Sequence, residues 1–337
     1  MSVATVLPFP DVDRETSAIG WPSFVACSPQ MRHVMDVVAR VAPKEVPVLI
    51  TGETGTGKEI VATALHNLSR RSLAPLVRVN CAAFPRDLVE AELFGHTRGA
   101  FTGVVKARPG FFGAADGGTL VLDEVEALPR EAQAKLLRAV QQGELQTVGT
   151  EAIRVVDVRV IACSNTDLLA EIEAGRFRRD LYYRLAVLSI DLPPLRSRPE
   201  DIIPLVRHFA SLYGNQFGVG NVHVTHDLLE VMQALPWPGN VRELENVVAA
   251  MMALTDDGTI GPRLLPGPYK GLRESAKVVG DLGLRSQVKA FERTLVHKAL
   301  AECGNNRSKT ARRLGISRTT LLGMLRGYKL NSSDGTG

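Results

Sequence analysis

Hydrophobic and polar positions follow two different patterns along this 337-residue chain. Up to about residue 195, short apolar runs alternate with segments whose apolar residues recur every three or four positions, which predicts strands alternating with helices. The expected strands are Val46–Ile50, Leu76–Val79, Thr119–Leu122, Val155–Ala162 and Val187–Leu192. Strands and helices that alternate in this way build a parallel sheet with right-handed crossovers. The first part of the chain is therefore predicted to be α/β.

The helical periodicity also locates the helices and several of their ends. Ser28-Pro29 has the order of an N-cap and a first helical residue, and in 130–142 the apolar stripe is expected at Ala134, Leu137 and Val140. After Pro199 the pattern is helical only. The expected helices are 31–41, 60–68, 87–93, 130–142, 177–185, 202–212, 227–235 and 241–254, with Asn240 as the N-cap of the last.

Breaks in these patterns divide the chain into units. We expect a loose tail at 1–20, an α/β unit at 21–195, a helical unit at 196–256, a linker at 257–284, a small helical unit at 285–330 and a tail at 331–337. The linker is rich in glycine and proline. In the last unit, helices at 288–301, 308–314 and 317–326, with a turn at Gly315-Ile316, match a helix-turn-helix. The tail at 1–20 is too short for a folded sensor domain upstream.

Charge is distributed unevenly. The net charge is +4, but residues 285–329 contain eleven Lys or Arg and two Glu residues. A mildly acidic body with a basic end favours a nucleic-acid-binding tail, although a solvated basic helix face or a hairpin packed on a protein would have the same charge. The four cysteines are dispersed, which fits a reducing compartment and not a zinc site. Without a membrane-span or signal pattern, we expect a cytoplasmic protein.

The strand at Val46–Ile50 leads into the loop Gly52-Glu53-Thr54-Gly55-Thr56-Gly57-Lys58-Glu59, and a helix follows. Glycines in such a loop let backbone N–H groups surround an anion, and the helix N-terminus adds positive charge. Lys58 would supply a full charge for the outer phosphates. Glu59 occupies the position where Ser or Thr usually coordinates the metal. The pattern predicts a nucleoside triphosphate site.

Polar residues end the other predicted strands. Asp123 and Glu124 follow the strand at 119–122, where the first carboxylate would hold Mg²⁺ through water and the second would polarise the attacking water. Ser164 and Asn165 end another strand, at the sheet edge where ligands bind. Arg242 is expected in the first turn of a helix, an unfavourable place for a cation unless it faces an anion.

The segment Phe94–Val104 contains three glycines at four-residue spacing, which argues against a stable helix. The residues alone leave two alternatives open: a projecting loop with an aromatic tip, or a hairpin whose Phe101 enters the core.

These pieces, in this order, resemble the bacterial enhancer-binding proteins, which are AAA+ activators of sigma-54 RNA polymerase. The resemblance runs from about Trp21 to Leu330, and Gly99-Ala100-Phe101-Thr102-Gly103 is its most specific part. Trp237-Pro238-Gly239-Asn240-Val241-Arg242-Glu243-Leu244 is a further signature, and Glu59 belongs to the family's form of the phosphate loop. The resemblance implies an AAA+ P-loop NTPase with a helical lid, followed by an all-α helix-turn-helix domain.

The resemblance also implies roles for individual residues. Asn80 would switch Glu124 between resting and active poses, Ser164 and Asn165 would form the first sensor and Arg242 the second, and Arg178 and Arg184 would enter the site of a neighbouring subunit. The loop Gly99–Gly103 would contact sigma-54. Implied partners are ATP, Mg²⁺, sigma-54 polymerase, double-stranded DNA, a ring of copies (usually a hexamer) and possible control by a separate regulatory protein. Candidate DNA contacts are Arg307, Lys309, Arg312, Ser317, Arg318, Thr319 and Thr320.

The chain departs from the family pattern at two places, and the first of them, Val104, keeps an alternative function open. The loop ends Gly103-Val104 where the family has Gly-Ala, and β-branched valine is stiffer at χ1. Gly323 weakens the predicted recognition helix by about 1 kcal/mol relative to alanine. One alternative is a related DNA-binding regulator that does not engage sigma-54. The other is an AAA+ remodeller of another class, such as a protease unfoldase or replication loader, which the helix-turn-helix and the Phe101 loop disfavour.

Overall fold

The computed structural model describes residues 25–100, 106–269 and 306–317, with single positions at 296, 299, 320, 321 and 325. Its central element is a parallel five-stranded sheet of order β2-β3-β6-β1-β7. The strands are β1 (Val48–Thr51), β2 (Leu76–Asn80), β3 (Thr119–Asp123), β6 (Arg159–Ser164) and β7 (Leu188–Asp191). The first unit is α/β, as the alternating pattern predicted.

Helices cover both faces of this sheet, and the residues alternate between two cores. Leu120 and Leu122 of β3 belong to one buried cluster, whereas the intervening Val121 belongs to the other. Burial on both faces explains why the central strands β1 and β3 contain uninterrupted apolar runs. The helices of this unit are α1 (Pro29–Val41), α2 (Lys58–Asn67), α3 (Arg86–Phe94), α4 (Gly110–Ala114), α5 (Arg130–Gln142), α6 (Leu168–Glu173) and α7 (Arg179–Leu185).

Some helix ends follow directly from the side chains present. Ser28 caps α1, since its hydroxyl accepts a hydrogen bond from the N–H of Met31 at 3.2 Å. The stripe predicted for α5 lies at the edge of its buried face. Ala132, Leu136 and Ala139 are the buried apolar residues, and the predicted Leu137 and Val140 pack against the same core while partly buried. Gln133 is also buried on this helix, where its side-chain amide donates to the carbonyl oxygens of Leu128 at 2.8 Å and Arg176 at 3.0 Å.

The predicted strand 155–162 was wrong, because it is two strands. Residues Ile153–Val155 form β5, which pairs antiparallel with β4 (Glu144–Gln146) in a separate hairpin. The side chains of β5 are exposed, Val155 to 74%, whereas those of β6 are buried throughout. The apolar-rich stretch 155–162, interrupted by Asp157 and Arg159, therefore hid a change from a surface hairpin to a central strand.

A helical subdomain follows β7. It contains α8 (Ile202–Phe217), α9 (His226–Ala234) and α10 (Asn240–Leu254), with a short parallel pair of β8 (His223–Val224) and β9 (Thr259–Ile260). Part of the predicted linker at 257–284 is thus folded, since Ile260 and Leu265 are buried. Asn240 was predicted to be an N-cap, but it is the first residue of α10 and has φ of 54°.

The chain divides into two compact units at Leu264/Leu265. In the second unit, α11 (Arg307–Arg313) is capped by Asn306, whose side-chain oxygen accepts from the N–H of Lys309. Gly315 follows with φ of 65°, in the predicted turn. A small apolar cluster joins Val296, Ala311, Leu321 and Leu325. Across the described ranges, no helix has the length and apolar character needed to cross a membrane.

Candidate functional site

Several predicted site residues meet at the carboxyl edge of the sheet. The phosphate loop follows β1, Asp123 ends β3, Asn80 ends β2 and Asn165 follows β6. They surround a cavity of about 340 Å³. Its lining residues are Thr54, Gly55, Gly57, Lys58, Glu59, Ile60, Asn80, Asp123, Glu124, Asn165, Val241, Arg242 and Glu245. Gly52, Glu53, Thr56 and Ser164 belong to the predicted set but do not line the cavity.

The loop has the backbone form that its glycines predict. Gly55 and Gly57 have φ of 78° and 106°, a region that side chains rarely adopt. Residue 58 begins α2, and residues 58–60 of its first turn line the cavity, so the N-terminus of this helix lies at the site. A helix N-terminus beside a concave loop of glycines can bind an anion.

Lys58 points into this anion site but is held by the protein. Its ammonium donates to the carbonyl oxygens of Gly52 at 2.7 Å and Glu53 at 3.0 Å, and to Oδ1 of Asn165. Burial lowers the pKa of Lys58, and the nearby carboxylate of Asp123 opposes that shift. A phosphate oxygen can replace one of the three acceptors, which gives Lys58 a way to exchange contacts when a nucleotide enters.

Two acids follow β3 at the cavity. Asp123 accepts from the N–H of Glu124 at 3.1 Å, and Glu124 has a left-handed backbone with φ of 52°. Strained backbone of this kind persists where its surroundings enforce it, which is common at functional sites. Across the edge, Oδ1 of Asn80, a residue that lines the cavity, accepts from the N–H of Ala82 at 2.8 Å.

The two residues predicted as a first sensor occupy different places. Ser164 is fully buried and shares hydrogen bonds with Thr166, to its carbonyl oxygen at 2.9 Å and from its N–H at 3.2 Å. Asn165 alone reaches Lys58. Its own N–H is held by Oε1 of Glu126 at 2.9 Å, a residue that the sequence analysis missed because an acid beyond Asp-Glu carries no motif.

The helical subdomain supplies the far wall of the cavity. Val241, Arg242 and Glu245 lie on the first turns of α10, and the phenol of Tyr213 donates to Glu245 Oε1 at 2.9 Å. Opposite them, Ile60 is an apolar side chain that is 38% exposed. Apolar surfaces beside fixed polar groups are what a nucleoside needs. No motif in the sequence pointed to a role of Ile60, Tyr213 or Glu245 at this site.

The phosphate loop is also tied to the helical subdomain, by residues that sequence reasoning missed. Glu53, predicted to bind nucleotide, directs its carboxylate to Arg196 and Asn240. The carbonyl oxygen of Thr56 accepts from Arg198, a buried cation near the buried Asp201. Asp201 in turn accepts from Ser28 at the start of α1. Pairing with partners far along the chain leaves no local pattern.

Arg178 and Arg184 do not line the cavity of their own chain. Arg178 forms a two-point ion pair with Asp180, at 3.0 and 2.7 Å, which raises the pKa of the arginine. Its N–H donates to the buried Gln133 at 2.9 Å. Arg184 donates to the carbonyl oxygen of Gln141 at 3.2 Å. Arg178 immediately precedes α7 and is partly buried, and Arg184 lies on α7 and is exposed.

The base of the glycine-rich segment is closed by backbone pairing. His96 and Arg108 exchange two hydrogen bonds of 3.0 Å, and Thr97 donates to the carbonyl oxygen of Val148 beside β4 at 3.0 Å. Gly99 has φ of 79°, and Ala100 donates to the carbonyl oxygen of Thr97. Phe101, Thr102 and Gly103, and with them both alternatives for this loop, lie outside the described residues.

The second unit presents a basic surface. Arg307, Lys309 and Arg312 on α11 are exposed, and Ser317 accepts from the N–H of Thr320 at 3.0 Å while the two hydroxyls lie 2.7 Å apart. These two predicted DNA contacts therefore also hold the start of the following helix. Arg318 and Thr319 lie outside the described residues.

Comparison with known families matches each part of the chain. Residues 24–191 match the sigma-54 interaction domain, 196–280 the AAA+ ATPase lid domain and 287–323 the Fis family of bacterial regulatory proteins.

Relatives and solved structures cover most of the chain. Transcriptional regulatory protein ZraR of Klebsiella oxytoca is 46% identical over 89% of this chain and 68% of the length of ZraR. Regulatory protein AtoC of Escherichia coli is 39% identical over 93% of this chain and 69% of the length of AtoC. The crystal structure of NtrX from Brucella abortus in complex with ATP superimposes with a TM-score of 0.71 at 35% identity, covering 94% of this chain and 71% of NtrX.

The chain belongs to the family of sigma-54-dependent transcription activators. It has the fold of an AAA+ P-loop NTPase with a helical lid, and it carries a Fis-type helix-turn-helix. The family match places the chain among ATPases, which confirms the class expected from the phosphate loop. The cavity at the sheet edge is the site predicted to bind the nucleotide. The alternative of a related regulator that does not engage sigma-54 is not favoured by the sigma-54 interaction domain.

Proposed function

We propose that this activator hydrolyses ATP to remodel the closed complex of sigma-54 RNA polymerase, acting through the loop Gly99–Gly103 from an upstream DNA site. The observation that supports the coupling is the loop's base. Its ends are joined at His96 and Arg108 and bonded to the β4–β5 hairpin, while α3 and β3 connect the same region to the nucleotide site. A shift at the sheet edge can thus reach the loop through short, hydrogen-bonded elements.

In the reaction, Lys58 and the loop N–H groups hold the phosphates, and Arg242 faces them from the lid. Glu124 orients and deprotonates the attacking water, and Asn80 restrains Glu124 until a phosphate is present. Each of these residues lines the cavity. Positioning and charge stabilisation account for most catalysis of phosphoryl transfer.

Magnesium fits the donor set at this site. Asp123 places a carboxylate at the cavity beside the phosphate-binding lysine, and Mg²⁺ takes hard oxygen ligands from one or two carboxylates together with phosphates. When bound, the ion would neutralise charge on the phosphates. Removing the Asp123 carboxylate with Asp123→Asn should weaken Mg²⁺-dependent ATP binding, while Mg²⁺-independent binding of nucleotide stays nearly unchanged.

A ring of copies would complete the site, with Arg178 and Arg184 acting on a neighbour's nucleotide. The proposal is supported by the position of the two arginines, neither of which lines the nucleotide cavity of its own chain. Arg184→Ala and Lys58→Ala subunits should each be inactive, and mixing them should restore turnover. In the mixture, a chain with intact Lys58 meets a neighbour with intact Arg184. A mixture as inactive as its components would contradict action across an interface.

The remaining partners follow from the same proposal. The exposed cations of α11 would bind duplex DNA, where phosphate contacts give most of the affinity. Polymerase and DNA place the protein in the bacterial cytoplasm, and a separate regulatory protein could control it.

A promoter assay tests the proposed function. Wild-type protein with ATP should form open complexes with sigma-54 polymerase, and Thr102→Ala should abolish them while ATP hydrolysis continues. A response confined to sigma-70 promoters would contradict the proposal.

A further inference from the structure

Four consecutive residues of the phosphate loop are bonded to the lid side of the chain. Carbonyl oxygens make three of these contacts: Thr54 accepts from Asn240 at 3.0 Å, Gly55 from the N–H of Val241 at 2.9 Å, and Thr56 from Arg198 at 2.8 Å. The fourth contact is made by a side chain, the carboxylate of Glu53. Because Glu53 makes its contact through a side chain on the loop, a substitution there tests the connection directly.

The Glu53 carboxylate binds two lid residues at once. Arg196 donates to it at 2.5 and 2.8 Å, and Nδ2 of Asn240 donates at 3.1 Å. These hydrogen bonds hold the pKa of Glu53 at about 2. Its side chain is 42% exposed and does not line the nucleotide cavity. An exposed ion pair alone would stabilise little, so the contact to Asn240 is what gives Glu53 its importance.

Asn240 begins the helix that carries the lid's contribution to the cavity. Its φ of 54° is unusual for a residue other than glycine, and its side chain is bonded at both ends, since Oδ1 also accepts from the N–H of Leu195 at 2.8 Å. Such a conformation persists only when its surroundings fix it. Arg242 lies two residues further along α10, so the orientation of Asn240 sets where Arg242 enters the cavity.

We infer that Glu53 is a positioning residue for ATP hydrolysis. Through Arg196 and Asn240 it fixes the start of α10 and thereby holds Arg242 over the nucleotide. This inference rests on the role proposed for Arg242 in the reaction. It assigns to Glu53 a task different from nucleotide contact, and it links the state of the phosphate loop to the lid.

The test is a double-mutant cycle on ATP hydrolysis by the full chain. Glu53→Gln keeps the size of the side chain and removes its charge, and it should lower kcat/KM about fivefold to tenfold. In an Arg242→Ala background the same change should cost less than about twofold, because Glu53 acts through Arg242. Full additivity of the two losses would overturn the inference.

The matched control is Glu45→Gln. Glu45 pairs with Arg71 through one contact of 2.7 Å and is 37% exposed, close to the 42% exposure of Glu53. It lies before β1, at the opposite end of that strand. The kcat/KM of Glu45→Gln should stay within about twofold of wild type. An equal loss in Glu45→Gln and Glu53→Gln would also overturn the inference, because it would show a general effect of losing an ion pair.

A second variant approaches the contact from the lid. Arg196→Gln should reproduce the loss and its dependence on Arg242, which keeps the inference testable if Glu53→Gln folds poorly; a purely additive loss in this cycle would equally refute it. The cycle requires ATP alone, without polymerase. Failure to open sigma-54 promoters would thus contradict the proposed function without deciding the role of Glu53. Additive losses in the double-mutant cycle would overturn the role of Glu53 without deciding the proposed function.

Discussion

Replacing Gly55 with alanine should separate the phosphate loop from the lid. A Cβ at this position would lie 2.4 Å from the carbonyl oxygen of Gly239 and 3.1 Å from Cβ of Arg242, whereas ordinary contact begins at 3.4 Å. The nearest atom is backbone, so no side chain can rotate away. The added methyl must therefore displace the start of α10 or the loop itself, and it would stretch the 2.9 Å hydrogen bond between Gly55 and Val241.

The expected cost has two parts. An alanine at φ of 78° carries about 1–2 kcal/mol of left-handed strain, and overpacking adds about 1–3 kcal/mol. The free energy of unfolding should therefore fall by roughly 3 kcal/mol. For a unit of this size, each kcal/mol lowers Tm by about 2–4 °C, which gives a decrease of roughly 10 °C.

Thermal unfolding with and without ATP measures both the loss of stability and the change in the response to ATP. The control is Gly218→Ala at the end of α8, which has φ of 70° and nothing within 4 Å of the added Cβ, so it should show only the strain. ATP should stabilise wild type and the control by the same amount, and Gly55→Ala should lose most of that stabilisation. Equal Tm values and equal responses to ATP in the two variants would refute the tight packing of loop against lid.

Three further predictions address catalysis, the core and pH. Glu124→Gln should bind ATP but turn it over at least about 100-fold more slowly, and unimpaired turnover in a steady-state assay would remove it as the base. Arg159→Met should lower the free energy of unfolding by about 3 kcal/mol, because the buried guanidinium donates to the carbonyl oxygens of Ala42 at 2.6 Å and Val41 at 3.3 Å; a urea titration with an unchanged midpoint would contradict this. Glu53 has its pKa lowered from 4.5 to about 2, so its ionised form contributes stability above about pH 4.5 that is lost as pH falls toward 2. The stability difference between wild type and Glu53→Gln should narrow over that range, and a difference independent of pH would argue against the ion pair.

The sequence predicted the elements that local rules govern. The phosphate loop, the strand ending at Asp123 and the cap at Ser28 each depend on neighbours within a few residues, and the structure places them as expected. Helical periodicity likewise located α5 to the residue. Hydrophobic letters alone did not resolve its buried face, since the buried Gln133 is polar.

The rest of the site depends on contacts between distant segments. Glu53 looked like part of a nucleotide motif, yet its carboxylate binds Arg196 and Asn240, more than 140 positions later. Asn240 is of a residue type that often caps helices, but its side-chain amide joins the start of α10 to the phosphate loop and to Leu195. Such roles arise only when tertiary structure brings the partners together, so no local pattern could have indicated them.

The central claim is that ATP hydrolysis by this chain opens sigma-54 promoters. The most direct measurement is promoter melting, followed by the reactivity of unpaired thymines, with sigma-54 polymerase and either ATP or a non-hydrolysable analogue. Melting is expected with wild type and ATP, and none with the analogue or with Glu124→Gln. Equal melting with the analogue, or no melting with ATP while hydrolysis proceeds, would contradict it.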